Sequence, residues 1–208
     1  MKSHVIFSLF AILLCITSPA AGQNLDWKLY DNIQSGRSTA NDGVMNGITQ
    51  SCYPIALALP FGQFVYSLVK HDEISILRAA QTAGGLVIAT ALTYGIKYSV
   101  QRHRPYETHS GYAPYEYDSS PSMPSGHTSV AFATATALSL EYKKWYVVVP
   151  AYLYAGAVGY SRLHLGAHYP SDVLVGALVG AGSSFVSYHA AQWWKKKWER
   201  KTQQKFIE

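Results

Sequence analysis

Three clusters of polar residues in this 208-residue chain have the types and spacings that phosphoryl chemistry requires. The first is Lys97, six intervening residues, then Arg104-Pro105. A point charge from lysine and a planar fork from arginine are complementary ways to hold a phosphate dianion. Pro105 restricts Arg104 to an extended path. The second is Pro124-Ser125-Gly126-His127, leading into the helix-like run Thr-Ser-Val-Ala-Phe. A Ser-Gly turn at a helix N-terminus presents unpaired N–H groups and the positive end of the helix dipole to an anion. Ser125 adds a hydroxyl donor, Gly126 permits close backbone approach, and His127 stands beside the anion as a proton donor. The third is Ser161-Arg162, five residues, His168, three residues, Asp172. Pro170 suits a first helical position and Asp172 a first turn. A carboxylate bonded to one imidazole nitrogen fixes the tautomer and leaves the other nitrogen free as a nucleophile. Arg162 contributes another guanidinium.

Taken singly, each cluster has an ordinary reading. Lys97 reads equally as a lysine snorkelling at a helix end, His127 as a helix-start residue, Asp172 as a helix-start charge and His168 as a capping imidazole. A string such as Pro-Ser-Gly-His arises by chance in roughly one chain per thousand of this length, so alone it is a weak warrant. The elements that must carry the clusters add weight. Uncharged apolar stretches at 51–69, 79–96, 128–140, 145–160 and 173–188 alternate with charged connectors. Ahead of them, Lys2, an apolar run over 5–16 and small residues at 20–22 form a signal-peptide pattern or a short first membrane helix. With the N-terminus inside, the inner segments hold Lys2, Lys70, Arg78, Lys143, Lys144 and six basic tail residues, eleven in all. The outer segments hold six: Lys28, Arg37, Lys97, Arg102, Arg104 and Arg162. That excess in the inner segments is the orientation rule for membrane proteins, and it places all three clusters on the outer face.

In order and in combination, the clusters resemble the signature of the type 2 phosphatidic acid phosphatase superfamily: K-x6-R-P, P-S-G-H, then S-R-x5-H-x3-D. Every signature position is matched, over a stretch of about 51–188. The resemblance implies an all-α, membrane-embedded helical bundle, here with about five transmembrane helices plus the N-terminal signal or anchor helix. It divides the chain into that N-terminal segment (1–22), an extracytoplasmic segment (23–50), the phosphatase bundle (51–192) and a basic cytoplasmic tail (193–208). It also implies a hydrolase needing no metal or other cofactor. His168 is then the nucleophile that becomes a phosphohistidine, Asp172 its orienting carboxylate and His127 the acid for the leaving group. Lys97, Arg104, Ser125, Gly126 and Arg162 hold the phosphate. The expected partners are a lipid phosphate monoester or diphosphate and the membrane itself, with the site on the periplasmic face of the inner membrane. The tyrosines at 112, 115 and 117 read as a lip over acyl chains or as interface anchors. His103, His109 and His164 read as polar loop or substrate-contact residues.

Composition excludes much else. Charged residues are only 14% of the chain and hydrophobic ones 49%, against about a quarter charged in an ordinary soluble domain. A charge-rich or disordered binder is therefore excluded. Cys15 and Cys52 are too few for a disulfide framework or a cysteine zinc site. The net charge of +5 is modest, and a nucleic-acid-binding reading needs the basic residues clustered on one face. A mean hydropathy of zero and the small size leave three rivals. They are a soluble exported acid phosphatase of the same superfamily, a vanadate-dependent haloperoxidase, for which the chain is short, and a non-catalytic membrane protein that binds phospholipid.

Overall fold

The computed structural model describes residues 19–109 and 111–205, and these form α-helices and one 3₁₀ turn without a strand. The expected signal or anchor segment, with Cys15, lies outside the described residues as far as position 18. The helices are α1 (Pro19–Ser35), α2 (Asp42–Lys70), α3 (Glu73–Val100), α4 (Pro105–Thr108), α5 (Gly126–Tyr142), α6 (Trp145–His164) and α7 (Pro170–Lys205). Local chemistry sets their ends. Asp72 caps α3 by accepting from the Ile74 N–H at 3.0 Å. Prolines occupy the first positions of α4 and α7, where the missing N–H costs nothing. α2, α3 and α5 each stop at a residue in the left-handed region: His71, Gln101 and Lys143.

Packing is inside-out relative to a soluble bundle. The residues withdrawn from the surface are mostly small: Ala89, Ala133 and Ala155 are fully buried beside Val158 and Cys52. Leu57, Phe61, Val87 and Leu153, by contrast, are each about two-thirds exposed. Water would penalise that arrangement, whereas lipid tails accept large side chains outside and reward close helix contact inside. α5 is the central helix and packs most extensively on α7. A Cβ at Gly180 of α7 would overlap the Ser129 carbonyl of α5, and one at Gly176 would meet the Ser125 carbonyl at 2.6 Å. The contact between these two helices therefore needs glycine. Ser184 and Ser187 of α7 bond across to the Ala133 and Gln81 carbonyls.

Among the described residues three stretches are long and apolar enough to cross a membrane: Thr39–Lys70, Glu73–Thr108 and Pro170–Arg200. The other two apolar stretches of the sequence also form helices, but α5 has 17 residues and is sheathed by its neighbours, and α6 is diluted by four tyrosines, Pro150 and Arg162. At one end of the bundle Gln63 bonds to Glu141 at 2.6 Å and Arg78 lies over the Tyr142 ring. The three polar clusters meet at the other end.

Candidate active site

The start of α5 and the turn before α7 form the floor of the site. Ser125 is fully buried, and its N–H donates to the Asp172 carbonyl at 3.0 Å, which pins the two helix starts together. Its hydroxyl accepts from Thr128 Oγ1 at 2.9 Å, and Ser125 is not among the residues lining the cavity. The Gly126 backbone does line the cavity, where an added Cβ would touch the Tyr53 hydroxyl at 3.5 Å. His127, one residue on, faces the same cavity with its ring edge-on to Tyr53, centroids 4.7 Å apart.

The turn from α6 to α7 reverses at Gly166, whose φ of +73° suits glycine. It delivers His168 with 2% exposure. His168 Nδ1 lies 3.6 Å from Asp172 Oδ2 and 3.5 Å from Ser122 Oγ. Both separations exceed a well-formed hydrogen bond, so the imidazole is held on that edge by a carboxylate and a hydroxyl together, not by the single bond the spacing suggests. Ser122 Oγ in turn donates to Asp172 Oδ2 at 2.5 Å, and the Tyr169 N–H donates to the same oxygen at 2.9 Å. Burial pushes the His168 pKa down to about 4, with Asp172 opposing part of that shift. The uncharged imidazole is the nucleophilic form.

His168, His127, Lys97, Arg104 and Gly126 thus share one cavity of about 190 Å³. Lys97 is buried and its ammonium donates to the Pro121 carbonyl. Arg104 is 1% exposed and fixed on every side. Nε donates to the Ser120 carbonyl at 2.8 Å, Nη1 to the Ala167 carbonyl at 3.0 Å and Nη2 to Asp118 at 2.6 Å. Asp118 also lines the cavity. Burial works to raise its pKa, but the Ser120 N–H and the Arg104 charge outweigh that and hold it below the usual carboxylate range. Arg162 is not among the lining residues; Nη1 reaches Thr49 Oγ1 only at 3.5 Å, and its Nε is buried with no partner among the described residues. A buried guanidinium left short of acceptors fits a site that receives an anion. The opposite wall is Tyr53, Thr90, Tyr94 and Val130, from α2, α3 and α5.

Sequence reasoning missed several residues of this site. Arg102 was counted only as an outer basic residue, yet its Nη1 donates to Asp172 Oδ1 at 2.6 Å. Ser122, Ser120 and Asp118 come from the intervening loop. Their one local signal is position, within nine residues before His127. Of the histidines expected as polar loop or substrate-contact residues, His103 and His109 lie in loops and His164 ends α6, and none of them lines the cavity. His164 bonds Asp42 at 3.0 Å, His109 stacks on Trp27 with centroids 3.5 Å apart, and His103 is exposed near Glu107. Tyr112 is tied to α1, its hydroxyl donating to Asp31 at 2.8 Å. Among the described residues no group of three His, Cys, Asp or Glu is placed to hold a metal ion.

A helical bundle that opens one imidazole edge into a basic cavity defines a class of phosphate-handling membrane protein, and the comparisons agree. Residues 78–196 match the PAP2 superfamily, and the chain belongs to that family. It is 39% identical over 99 residues to a lipid A 1-phosphatase of Porphyromonas gingivalis, covering 46% of this chain and 20% of that one. It is 34% identical over 102 residues to an undecaprenyl-diphosphatase of Sulfolobus acidocaldarius, covering 49% of each. The matches thus span half or less of these curated relatives. Among solved structures it resembles a transmembrane PAP2-type phosphatidylglycerolphosphate phosphatase from Bacillus subtilis, with a TM-score of 0.69, 25% identity, and 93% and 95% of the two chains covered. It also resembles Aquifex aeolicus LpxE, with a TM-score of 0.68, 26% identity, and 78% and 94% covered.

Proposed function

We propose that this chain hydrolyses lipid phosphate monoesters or diphosphates through a phosphohistidine, without a metal, at the outer face of the membrane. The observation that carries the reading is the placement of His168. One imidazole edge is held by Asp172 and Ser122, and the ring shares a cavity with His127, Lys97 and Arg104. In the first step His168 Nε2 forms a bond to phosphorus as the bond to the leaving oxygen breaks. Burial and the Arg162 charge hold the His127 pKa down to about 3. This ring therefore takes up its proton as the phosphate dianion enters beside it, and gives it to that oxygen. An alcohol departs from a monoester and a lipid monophosphate from a diphosphate. In the second step water attacks the phosphorus and returns a proton to His127. The N–P bond breaks and inorganic phosphate leaves. Lys97, Arg104, Arg162 and the Gly126 N–H carry the charge on the equatorial oxygens. Ser125 supports this arrangement by pinning α5 to α7.

A lipid substrate is favoured by the aromatic and apolar wall of the cavity, set among outward-facing apolar side chains. The relatives named for lipid A, undecaprenyl diphosphate and phosphatidylglycerolphosphate all present phosphate on a lipid, and this chain is proposed to take the same class. The exposed apolar surface speaks against the soluble acid phosphatase reading. Phosphate release from a panel of lipid phosphates in detergent, with chelator and with vanadate, tests the proposal. Release that survives chelator and stops with vanadate, a trigonal-bipyramidal mimic, is the expected result. Release that needs an added divalent ion, or none on any lipid, overturns it.

A further inference from the structure

α1 lies outside the stretch matched by the family, which begins at residue 78. It is nevertheless bonded directly to the catalytic cluster. Asp26 of α1 is buried, and its Oδ1 accepts the Ser171 N–H at 2.9 Å. Its Oδ2 accepts from Ser171 Oγ and from Arg102 Nη2, each at 2.6 Å. One carboxylate therefore caps the first turn of α7 and holds one arm of Arg102. The other arm, Nη1, donates to Asp172 Oδ1 at 2.6 Å. The Tyr169 ring, 4.0 Å from the guanidinium carbon, fixes the plane of the fork. Four further bonds moor α1 to the end of α6, the turn after it and the loop before α5: Gln34 to the Leu163 and His164 carbonyls, Tyr30 to the Gly166 carbonyl, and Tyr112 to Asp31.

We propose that Asp26 is a positioning residue for His168, acting through Arg102 and the first turn of α7, so that α1 is part of the working site. The proposal rests on the phosphatase reading above. Its physical basis is the sharing of one guanidinium between two carboxylates. With Asp26 in place, Arg102 reaches only Oδ1 of Asp172 and leaves Oδ2 for Ser122 and the imidazole. Without the Asp26 charge, the freed arm of Arg102 is drawn to pair bidentately with Asp172, taking Oδ2 from His168. The charge balance shifts as well. Asp26, Arg102 and Asp172 sum to one net negative charge, which faces the positive charge that develops on His168 as the N–P bond forms. Neutralising Asp26 removes it.

The test uses the full chain in detergent and the variants Asp26→Asn, Asp26→Glu, Arg102→Gln and the Asp26→Asn/Arg102→Gln double. Asparagine keeps an acceptor for the Ser171 N–H, so the cap survives while the charge is lost. kcat and KM are measured on para-nitrophenyl phosphate and on a lipid phosphate, per phosphoenzyme-forming site, alongside Tm. A small misplacement of a reacting group costs about 10²-fold, so Asp26→Asn is expected to lose kcat on that scale, equally on both esters, with KM unchanged. Asp26→Glu recovers part of the loss. The double variant is expected to be no slower than Arg102→Gln alone, because both residues act along one path. Single losses that multiply in the double, or a lower Tm with kcat per site unchanged, overturn the proposal and leave α1 as scaffold. A wild-type chain that releases no phosphate overturns the phosphatase reading and this proposal with it.

Discussion

The two histidines of the cavity have separable tasks. His168→Ala should abolish turnover of every phosphate ester, since it removes the proposed nucleophile. His127→Ala should lose far more on a lipid phosphate than on para-nitrophenyl phosphate, because an alkoxide needs the proton and a nitrophenolate scarcely does. General-acid assistance is worth about 10²- to 10⁴-fold, and the ratio of the two losses in kcat/KM measures it. Equal losses on both esters would remove the acid role. The protonation of His168 is a second residue-scale outcome. Its folded pKa is held down to about 4, chiefly by burial, against about 6.5 in the unfolded chain. Between these values the unfolded chain binds a proton that the folded one refuses. The contribution of this group to stability is therefore complete above pH 6.5 and is lost as pH falls toward 4. Imidazole NMR in micelles should show a ring that stays neutral well below pH 6 and whose signal is missing from His168→Ala. A ring at position 168 titrating near 6.5 would contradict that burial.

At the scale of elements, the site depends on how closely α5 and α7 approach, because Ser125 and Asp172 are joined across their starts. Gly180 is where that approach is tightest. Leucine there must either move α7 or distort α5. Overpacking of this kind costs about 1–3 kcal/mol. The expected result for Gly180→Leu is a lower Tm in detergent together with a fall in kcat, since the shift carries His168 and Asp172 away from α5. Gly182, one turn-face away, has open space around its Cβ position, and Gly182→Leu should leave both readouts unchanged. Comparable effects from the two variants would mean that bulk in α7, and not its contact with α5, is what matters.

For the whole molecule the prediction is topological. The basic connectors lie at the end of the bundle opposite the cavity, and the tail is basic through Lys195, Lys196, Lys197 and Arg200. Positive charge is retained on the cytoplasmic side. A reporter fused after Lys205 should therefore be cytoplasmic, and one inserted near His109 exported. An exported tail would reverse the membrane orientation while leaving the cavity itself untouched.

The chain's own order of residues determined the helical class, the alternation of apolar and charged stretches, and the three clusters. Each of these is local: a period, a run, or a spacing within a dozen residues. Capping signals at Asp72, Pro105 and Pro170 likewise act on their own first turns. Only the tertiary structure decided the rest. No spacing relates Asp26 to Arg102, 76 residues away, or Gln34 to Leu163, 129 away, so nothing within the segment at 23–50 points to its partners. Ser125 has the right type for a phosphate donor, but its hydroxyl accepts from Thr128 and the residue does not line the cavity. The Asp172–His168 spacing promised one hydrogen bond, and the inserted Ser122 and Arg102 made it a shared arrangement of four groups. Hydrogen bonds between distant segments depend on where the bundle closes, and that is fixed by the sum of helix contacts, not by any one stretch of sequence.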